Sequence, residues 1–233
     1  MSADIGALQA RIGYSFQEPK RLERALTHPS WLQDHPEAGG NNQRLEFLGD
    51  SVLQLILTEA LYSLYPDDRE GELTKRRAVL GKGLFLASLA RGIGLDTCLL
   101  MGANEESTGG RRRDAALEDA FEAMIGAVNL DGGFEAARRT ALGIYGDLAV
   151  RLAAMEGHAN PKGRLQEIVQ PEHGNNALRY ELTSTEGADH ERTYLVAVYL
   201  LDRHLGSGKG SSKKVAEEEA ARAALLSLAS GPA

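Results

Sequence analysis

The sequence predicts an all-α domain followed by a small α+β domain. Helical periodicity dominates the first two thirds of the 233-residue chain, and no segment before residue 175 alternates as a strand does. A segment with glycine and proline near residue 157 then precedes a stretch rich in strand-forming residues. With 42% hydrophobic and 25% charged residues, the composition is that of a globular protein and excludes wholesale disorder.

Apolar periodicity in the first part predicts five helices. The long helix Gln43–Leu64 repeats Leu, Val and Ile at three- and four-residue intervals, with Asn41 and Asn42 as suitable caps and Pro66 beyond its end. The other four are predicted at residues 21–26, 72–91, 114–130 and 134–155.

The second part predicts the order α-β-β-β-α. A helix begins at Pro161, strands follow at 178–183, 193–201 and 203–208, and an Ala-rich helix covers 211–228. We therefore expect a helical domain over residues 1–155, a linker over 156–160 and a second domain over 161–233.

The net charge of −7 argues at first sight against a nucleic-acid partner. Residues 203–214, however, contain Arg203, Lys209, Lys213 and Lys214 and no acid. Such a local positive stripe can form a contact surface, because net charge governs steering rather than contact.

The location is expected to be cytoplasmic. The single cysteine, Cys98, excludes an intrachain disulfide and fits a reducing compartment. The first residues lack the pattern of a secretory signal, and the apolar stretches are expected to be too short to span a membrane. Neither a membrane nor an organic cofactor is expected.

Two helices carry pairs of acids at helical spacing. Glu46 and Asp50 are four residues apart, and Asp119 and Glu122 are three apart, so each pair projects from one helix face. Both helices are otherwise apolar and are expected to pack together, which would bring four carboxylates together without an interleaved Lys or Arg. Solvated helix faces are the alternative, although Gly49 in mid-helix indicates close approach of another backbone.

Such a cluster would suit a particular chemistry. Oxygen-only ligands favour a hard cation, Mg²⁺ or Mn²⁺. Two such ions could activate water and stabilise the leaving oxygen in phosphodiester cleavage.

The segment 44–53, Arg-Leu-Glu-Phe-Leu-Gly-Asp-Ser-Val-Leu, resembles the signature of the ribonuclease III family, and segments 25–30, 70–78 and 117–126 resemble its further motifs. The resemblance implies a helical endonuclease domain that acts as a homodimer on double-stranded RNA. It also implies Mg²⁺-dependent cleavage, with Mn²⁺ as a substitute, to staggered ends with 5′-phosphate and 3′-hydroxyl groups. The implied roles are processing of ribosomal RNA precursors and of mRNA.

The same resemblance assigns individual residues. Glu46, Asp50, Asp119 and Glu122 would form the metal site, with Asp50 and Glu122 as the catalytic residues. Two further positions are auxiliary: Glu70, which would help assemble the site, and Gln43, where the family usually has Glu. Gln keeps an acceptor oxygen but lacks the charge. Phe47 would insert into the partner subunit, and a core position in its own chain is the alternative.

Residues 206–217 combine glycines, a Ser cap and lysines at a predicted helix start, a pattern that favours phosphate binding. An ordinary solvated helix start is the alternative. The whole second part resembles a double-stranded RNA-binding domain. By this resemblance Lys213 and Lys214 would reach phosphates across the major groove, with Lys209 nearby. Gln166, Glu167 and the loop that contains His190 would reach the minor grooves.

Two other functions remain open. The chain could be a non-cleaving duplex-RNA binder whose first domain serves only for dimerisation, and Gln43 favours that reading. It could also be a structural protein associated with the ribosome. The presence of all four central acids favours the enzyme. The basic run Arg111–Arg113 could contact phosphate or form a solvated turn.

Overall fold

A computed structural model describes residues 3–187 and 192–229 of the chain. By backbone contacts these residues divide into two compact units between Leu152 and Ala153. The first unit is helical, and the second combines a three-stranded sheet with helices. The predicted fold class is therefore confirmed.

The first unit is built around two helices. Its helices are α1 (Ala3–Ile12), α2 (Pro19–Ala25), α3 (Trp31–Asp34), α4 (Gln43–Leu64), α5 (Glu70–Leu80), α6 (Gly83–Gly92), α7 (Ala103–Ser107), α8 (Asp114–Gly132) and α9 (Phe134–Tyr145), and α10 (Leu148–Ala159) runs on from it past the division. Helices α4 and α8 make the most extensive packing contact in the described chain, and α6 and α2 pack against other sides of α8. Helix α8 buries ten residues, among them Phe121, Met124 and Ile125.

Two predicted helices are each two helices in the structure. The segment 72–91 is broken at Gly81 and Lys82, where α5 ends and α6 begins. The segment 134–155 is broken at Gly146, after which the Asp147 carboxylate accepts the N–H groups of Ala149 and Val150 and starts α10. Apolar spacing runs through both breaks, so periodicity alone did not reveal them.

Helix α4 begins and ends as predicted, but its cap differs. The side chain of Asn42 makes no cap hydrogen bond and is buried, whereas Asn41 Oδ1 accepts from the backbone N–H of Gln43 at 3.2 Å. By length and composition α4 could cross a membrane, so the expectation that no apolar stretch is long enough was wrong. This is weak evidence for a span, because core helices pass the same test.

The second unit contains the predicted α-β-β-β-α order. Its elements after α10 are α11 (Pro161–His173), β1 (Leu178–Glu186), β2 (Thr193–Leu200), β3 (Arg203–Gly210) and α12 (Lys213–Ala229). The strands form an antiparallel sheet in the order β1-β2-β3, and its core includes Leu165, Val196, Val198 and Ala220. Helix α10 continues to Ala159, so most of the expected linker over residues 156–160 is helical.

Candidate active site and RNA-binding surface

Helices α4 and α8 cross with their backbones in direct contact. A Cβ added at Gly49 would lie 1.8 Å from the carbonyl oxygen of Glu122, and one at Gly126 would lie 2.3 Å from the carbonyl oxygen of Leu45. No real side chain tolerates such distances, so only glycine fits at both positions. The close approach inferred from Gly49 is confirmed, and it brings the acidic faces of the two helices together.

The acids share a strongly negative environment. Burial raises the pKa of Glu122 to about 8, and Asp50, Glu118, Glu46 and Asp119 add to this effect through their charges. Burial and then the charge of Asp119 raise the pKa of Glu46. Burial also raises the pKa of Asp119, although nearby His28 acts in the opposite direction. The pKa values of Glu46 on α4 and Glu122 on α8 are thus raised partly by acids of the facing helix, which solvated helix faces pointing apart would not do.

A fifth acid, Glu118, joins this group and was missed by the sequence analysis. Burial raises its pKa, and so do the charges of Asp119 and Asp50. Glu118 precedes Glu122 by four residues, which is the same helical spacing as Glu46 and Asp50. The same spacing that predicts a shared helix face for Glu46 and Asp50 therefore also predicts one for Glu118 and Glu122.

The donor set fits a hard divalent cation. No ion pair within the described residues neutralises any member of the acid cluster, which we define as Glu46, Asp50, Glu118, Asp119 and Glu122. A partly buried carboxylate with no counter-charge is costly, and a cation with oxygen ligands would remove that cost. In residues 3–187 and 192–229, however, no three acid, histidine or cysteine side chains already stand as a formed metal site.

The auxiliary residues lie at different distances from the cluster. Gln43 begins α4, one turn before Glu46, and its amide oxygen accepts from the Asn41 side chain at 3.2 Å. Glu70 begins α5 and lines a groove with Thr58 and Tyr62 of α4. Thr58 follows Asp50 by about 12 Å along the helix, at roughly 1.5 Å per residue. Within one chain, Glu70 is therefore not brought to the cluster.

Phe47 is 80% exposed, so the core alternative is wrong. Leu55 and Tyr62 lie along the same side of α4 and are also exposed. Beside Phe47 is an open depression whose lining includes Arg21, Leu48 and Leu130. This apolar side of α4 faces away from α8 and has no cover in the described chain.

The basic run before α8 is mostly structural. Arg111 pairs with Glu106 and donates to the carbonyl oxygens of Asp96 and Leu99. Arg113 pairs with Glu105. These contacts hold the turn before α8 and leave two of the three side chains engaged with protein rather than free for phosphate.

In the second unit, the basic helix start is exposed. Lys213 and Lys214 begin α12, and Ser212 Oγ accepts from the N–H of Val215 at 3.2 Å. Glu217, one turn later, pairs with Lys162 of α11 and so joins the two helices. Both lysines are exposed to solvent, and the nearest acid that follows them on α12, Glu217, pairs with Lys162.

The glycine-rich segment lies in the predicted third strand, which runs to Gly210 rather than ending at Gly208. Gly206, Gly208 and Gly210 belong to β3, and a Cβ on each would lie 2.1 to 2.7 Å from backbone nitrogens of α12. They allow the sheet to pack closely on the small residues of that helix. Lys209 alternates with them on the exposed side and pairs with Glu186 at 3.3 Å.

The remaining predicted RNA contacts lie on or beyond α11. Gln166 donates to the carbonyl oxygen of Asn175 at 3.0 Å, and Glu167 pairs with Arg164 at 3.2 Å. Both are on α11, as expected. His190 lies outside the described residues.

Two family models match the chain. Residues 18–146 match the model described as Ribonuclease-III-like, and residues 161–228 match the double-stranded RNA binding motif. Ribonuclease 3 of Desulforamulus reducens is 42% identical over 222 residues, which are 95% of this chain and 90% of that protein. Ribonuclease 3 of Pseudomonas putida is 41% identical over 230 residues, which are 98% of this chain and 97% of that protein.

Solved structures agree with these matches. The nuclease domain of ribonuclease III from Campylobacter jejuni is 37% identical, with a TM-score of 0.55, and covers 66% of this chain and 96% of that one. A second structure of that domain, at 38% identity and the same TM-score, is described as showing flexibility in a region involved in dimer formation.

An acidic helix crossing and a separate duplex-RNA-binding module together define an endoribonuclease specific for double-stranded RNA. The chain belongs to the ribonuclease III family. A role as a non-cleaving binder is not favoured, because the catalytic-domain match and the full-length relatives agree with the intact acid cluster.

Proposed function

We propose that the protein cleaves double-stranded RNA as a homodimer, by hydrolysis that depends on Mg²⁺ or Mn²⁺, with Asp50 and Glu122 as catalytic residues. The observation that carries the proposal is the acid cluster at the Gly49–Gly126 helix crossing, in which no acid has an ion-pair partner among the described residues. Glu46, Asp50, Asp119 and Glu122 would hold the metal.

When bound, the metal would supply an activated water and stabilise the leaving oxygen of the scissile phosphodiester. The protein's task is to hold the acids in place around the cation. Glu122, with a pKa raised to about 8, retains its proton at neutral pH in the metal-free protein and would release it when the cation binds. The Gly49–Gly126 crossing fixes the backbones from which the acids project.

The exposed side of α4 supports the dimer. Phe47, Leu55 and Tyr62 place an apolar stripe in water, which is costly for a single chain. In a two-fold interface each surface meets its own copy. Phe47 of one subunit would then enter the depression beside Leu48 and Leu130 of the other.

Dimerisation also gives Glu70 a place in the reaction. Because Glu70 lies along α4 from its own acid cluster, it can approach a cluster only across a subunit interface. Gln43, one turn before Glu46, would be a neutral neighbour of the site. Two sites, one for each strand, would leave staggered cuts with 5′-phosphate and 3′-hydroxyl ends.

The second unit would hold the duplex. Lys213 and Lys214 would contact phosphates on either side of the major groove, while Gln166, Glu167 and the loop with His190 would contact the minor grooves. Lys209, paired with Glu186, would add positive charge nearby. Processing of ribosomal RNA precursors and mRNA in the cytoplasm is the cellular role that fits this activity.

Mixed dimers test the proposal. Differently tagged wild-type and Glu122→Gln subunits are co-expressed, purified through both tags and given a duplex RNA with a distinct label on each strand. We expect wild-type dimers to cut both strands, mixed dimers to nick one strand in each event, and Glu122→Gln dimers to cut neither. Mixed dimers that cut both strands together would contradict one site per strand.

A further inference from the structure

Glu118 lies on the opposite side of Glu122 from Asp119. Along α8 it is one turn before Glu122, and successive residues of an α-helix are rotated by about 100°. Glu118 therefore faces the start of α6, whereas Asp119 faces the turn that contains His28. The acid cluster extends further toward α6 than the four predicted acids alone would place it.

The carboxylate of Glu118 rests directly on Gly83, the first residue of α6. A Cβ added at Gly83 would lie 2.1 Å and 2.6 Å from the two carboxylate oxygens and 2.4 Å from the carbon between them. Any residue other than glycine at this position would expel the carboxylate. The absence of a side chain at Gly83 thus leaves a space, which we call the cradle, that the Glu118 carboxylate fills.

Gly81, two residues before Gly83, leaves room for the side chain of Gln54, which contacts the site. A Cβ at Gly81 would lie 3.1 Å from Nε2 of Gln54, and the same nitrogen donates to Asp50 at 3.3 Å. The turn between α5 and α6 therefore places two side chains around Asp50. Lys82, between the two glycines, forms no ion pair with Glu118 in the described part of the chain.

We propose that Glu118 is a fifth acid of the cation site, held in place by Gly83, and that it strengthens the binding of divalent cations. The inference rests on the proposed function, because it assumes that the other four acids hold a metal. More carboxylate charge tightens the binding of hard cations. Loss of a group that supports a metal site typically weakens metal binding by roughly 10- to 100-fold.

The test measures Mn²⁺ binding to the full chain without RNA, by electron paramagnetic resonance of the free ion. Glu118→Gln is expected to raise the Kd by about tenfold or more. Gly83→Ala is expected to do the same, because the carboxylate is displaced while a flexible side chain can move aside at little cost in stability. Glu135→Gln, an exposed acid of α9 that lies 3.8 Å from Arg138, is the matched control and should leave the Kd unchanged.

A double-mutant cycle distinguishes displacement of the Glu118 carboxylate from general damage to the fold by Gly83→Ala. In a Glu118→Ala background there is no carboxylate to displace, so Gly83→Ala should cause no further loss of Mn²⁺ affinity. An equal loss from Gly83→Ala in both backgrounds would overturn the role of the cradle. An unchanged Kd in Glu118→Gln would overturn the proposal itself, and this variant decides alone if Gly83→Ala does not fold.

Glu122→Gln distinguishes failure of the fifth-acid proposal from failure of the proposed metal site as a whole. If wild type binds Mn²⁺, Glu122→Gln weakens binding and Glu118→Gln does not, only the fifth acid is wrong. If wild type binds no Mn²⁺, or Glu122→Gln binds as tightly as wild type, the proposed metal site is wrong and the inference falls with it.

Discussion

Replacing Glu122 by Gln is expected to stabilise the metal-free protein at alkaline pH. The pKa of Glu122 is about 8 in the folded protein, above its ordinary value of 4.5, so the folded state holds a proton that the unfolded state has lost. Between these two values the stability contributed by this group falls as pH rises. Because Gln cannot ionise, the variant does not lose this contribution to its stability as the pH rises.

The magnitude follows from the difference between the two pKa values. A difference of about 3.5 corresponds to roughly 4.8 kcal/mol if the whole effect fell on one isolated group. Glu122 is only partly buried, and neighbouring acids can take up part of the proton, so about 2 kcal/mol is the expected gain above pH 8. For a unit of this size, that is a rise in Tm of roughly 4–8 °C.

The assay is thermal unfolding in EDTA, followed by circular dichroism at pH 5 and pH 8.5. We expect the Tm of Glu122→Gln to match that of wild type at pH 5 and to exceed it at pH 8.5. Added Mg²⁺ should then raise the Tm of wild type far more than that of the variant. A Tm difference of the same size at both pH values would refute the reasoning, because it would not depend on ionisation.

Three other changes test separate parts of the account. Asp131→Asn should lower the Tm by roughly 5–10 °C, because this carboxylate is 2% exposed and accepts bonds from Tyr14 Oη and the N–H groups of Gln17 and Glu18; an unchanged calorimetric Tm would contradict it. Lys213→Ala with Lys214→Ala should reduce the slope of log affinity against log salt by about 2, and parallel salt titrations would argue against phosphate contacts. Gln43→Glu should lower the Mg²⁺ concentration for half-maximal cleavage several-fold by adding a carboxylate beside the cluster, and an identical Mg²⁺ titration would exclude that role.

The sequence predicted elements well wherever one apolar face determines them. Helix α4 was predicted from Gln43 to Leu64, as the structure has it, because its spacing and flanking residues agree. The breaks at Lys82 and Asp147 were missed, since a local turn can interrupt a helix without disturbing the apolar period. The third strand was predicted to end at Gly208 but runs to Gly210, because the sequence pattern does not reveal that its glycines pack against α12.

Helical spacing predicted which acids of the candidate site share a helix face, but not what packs around them. Spacing placed Glu46 with Asp50 and Asp119 with Glu122, and Gly49 signalled the contact that unites the two helices. Spacing could not choose between a core and a surface position for Phe47, because that depends on what packs around α4. The position of Glu118 against α6 depends on Gly83, which is distant in sequence and carries no pattern of its own.

The most direct test of the central claim is cleavage of a long end-labelled RNA duplex, with Mg²⁺ or EDTA, by wild type, Glu122→Gln and the control Glu135→Gln. The account predicts that wild type and the control shorten the duplex only with Mg²⁺, while Glu122→Gln binds the duplex with unchanged affinity and does not cut it. Cleavage by Glu122→Gln at the wild-type rate, or cleavage in EDTA, would contradict the account.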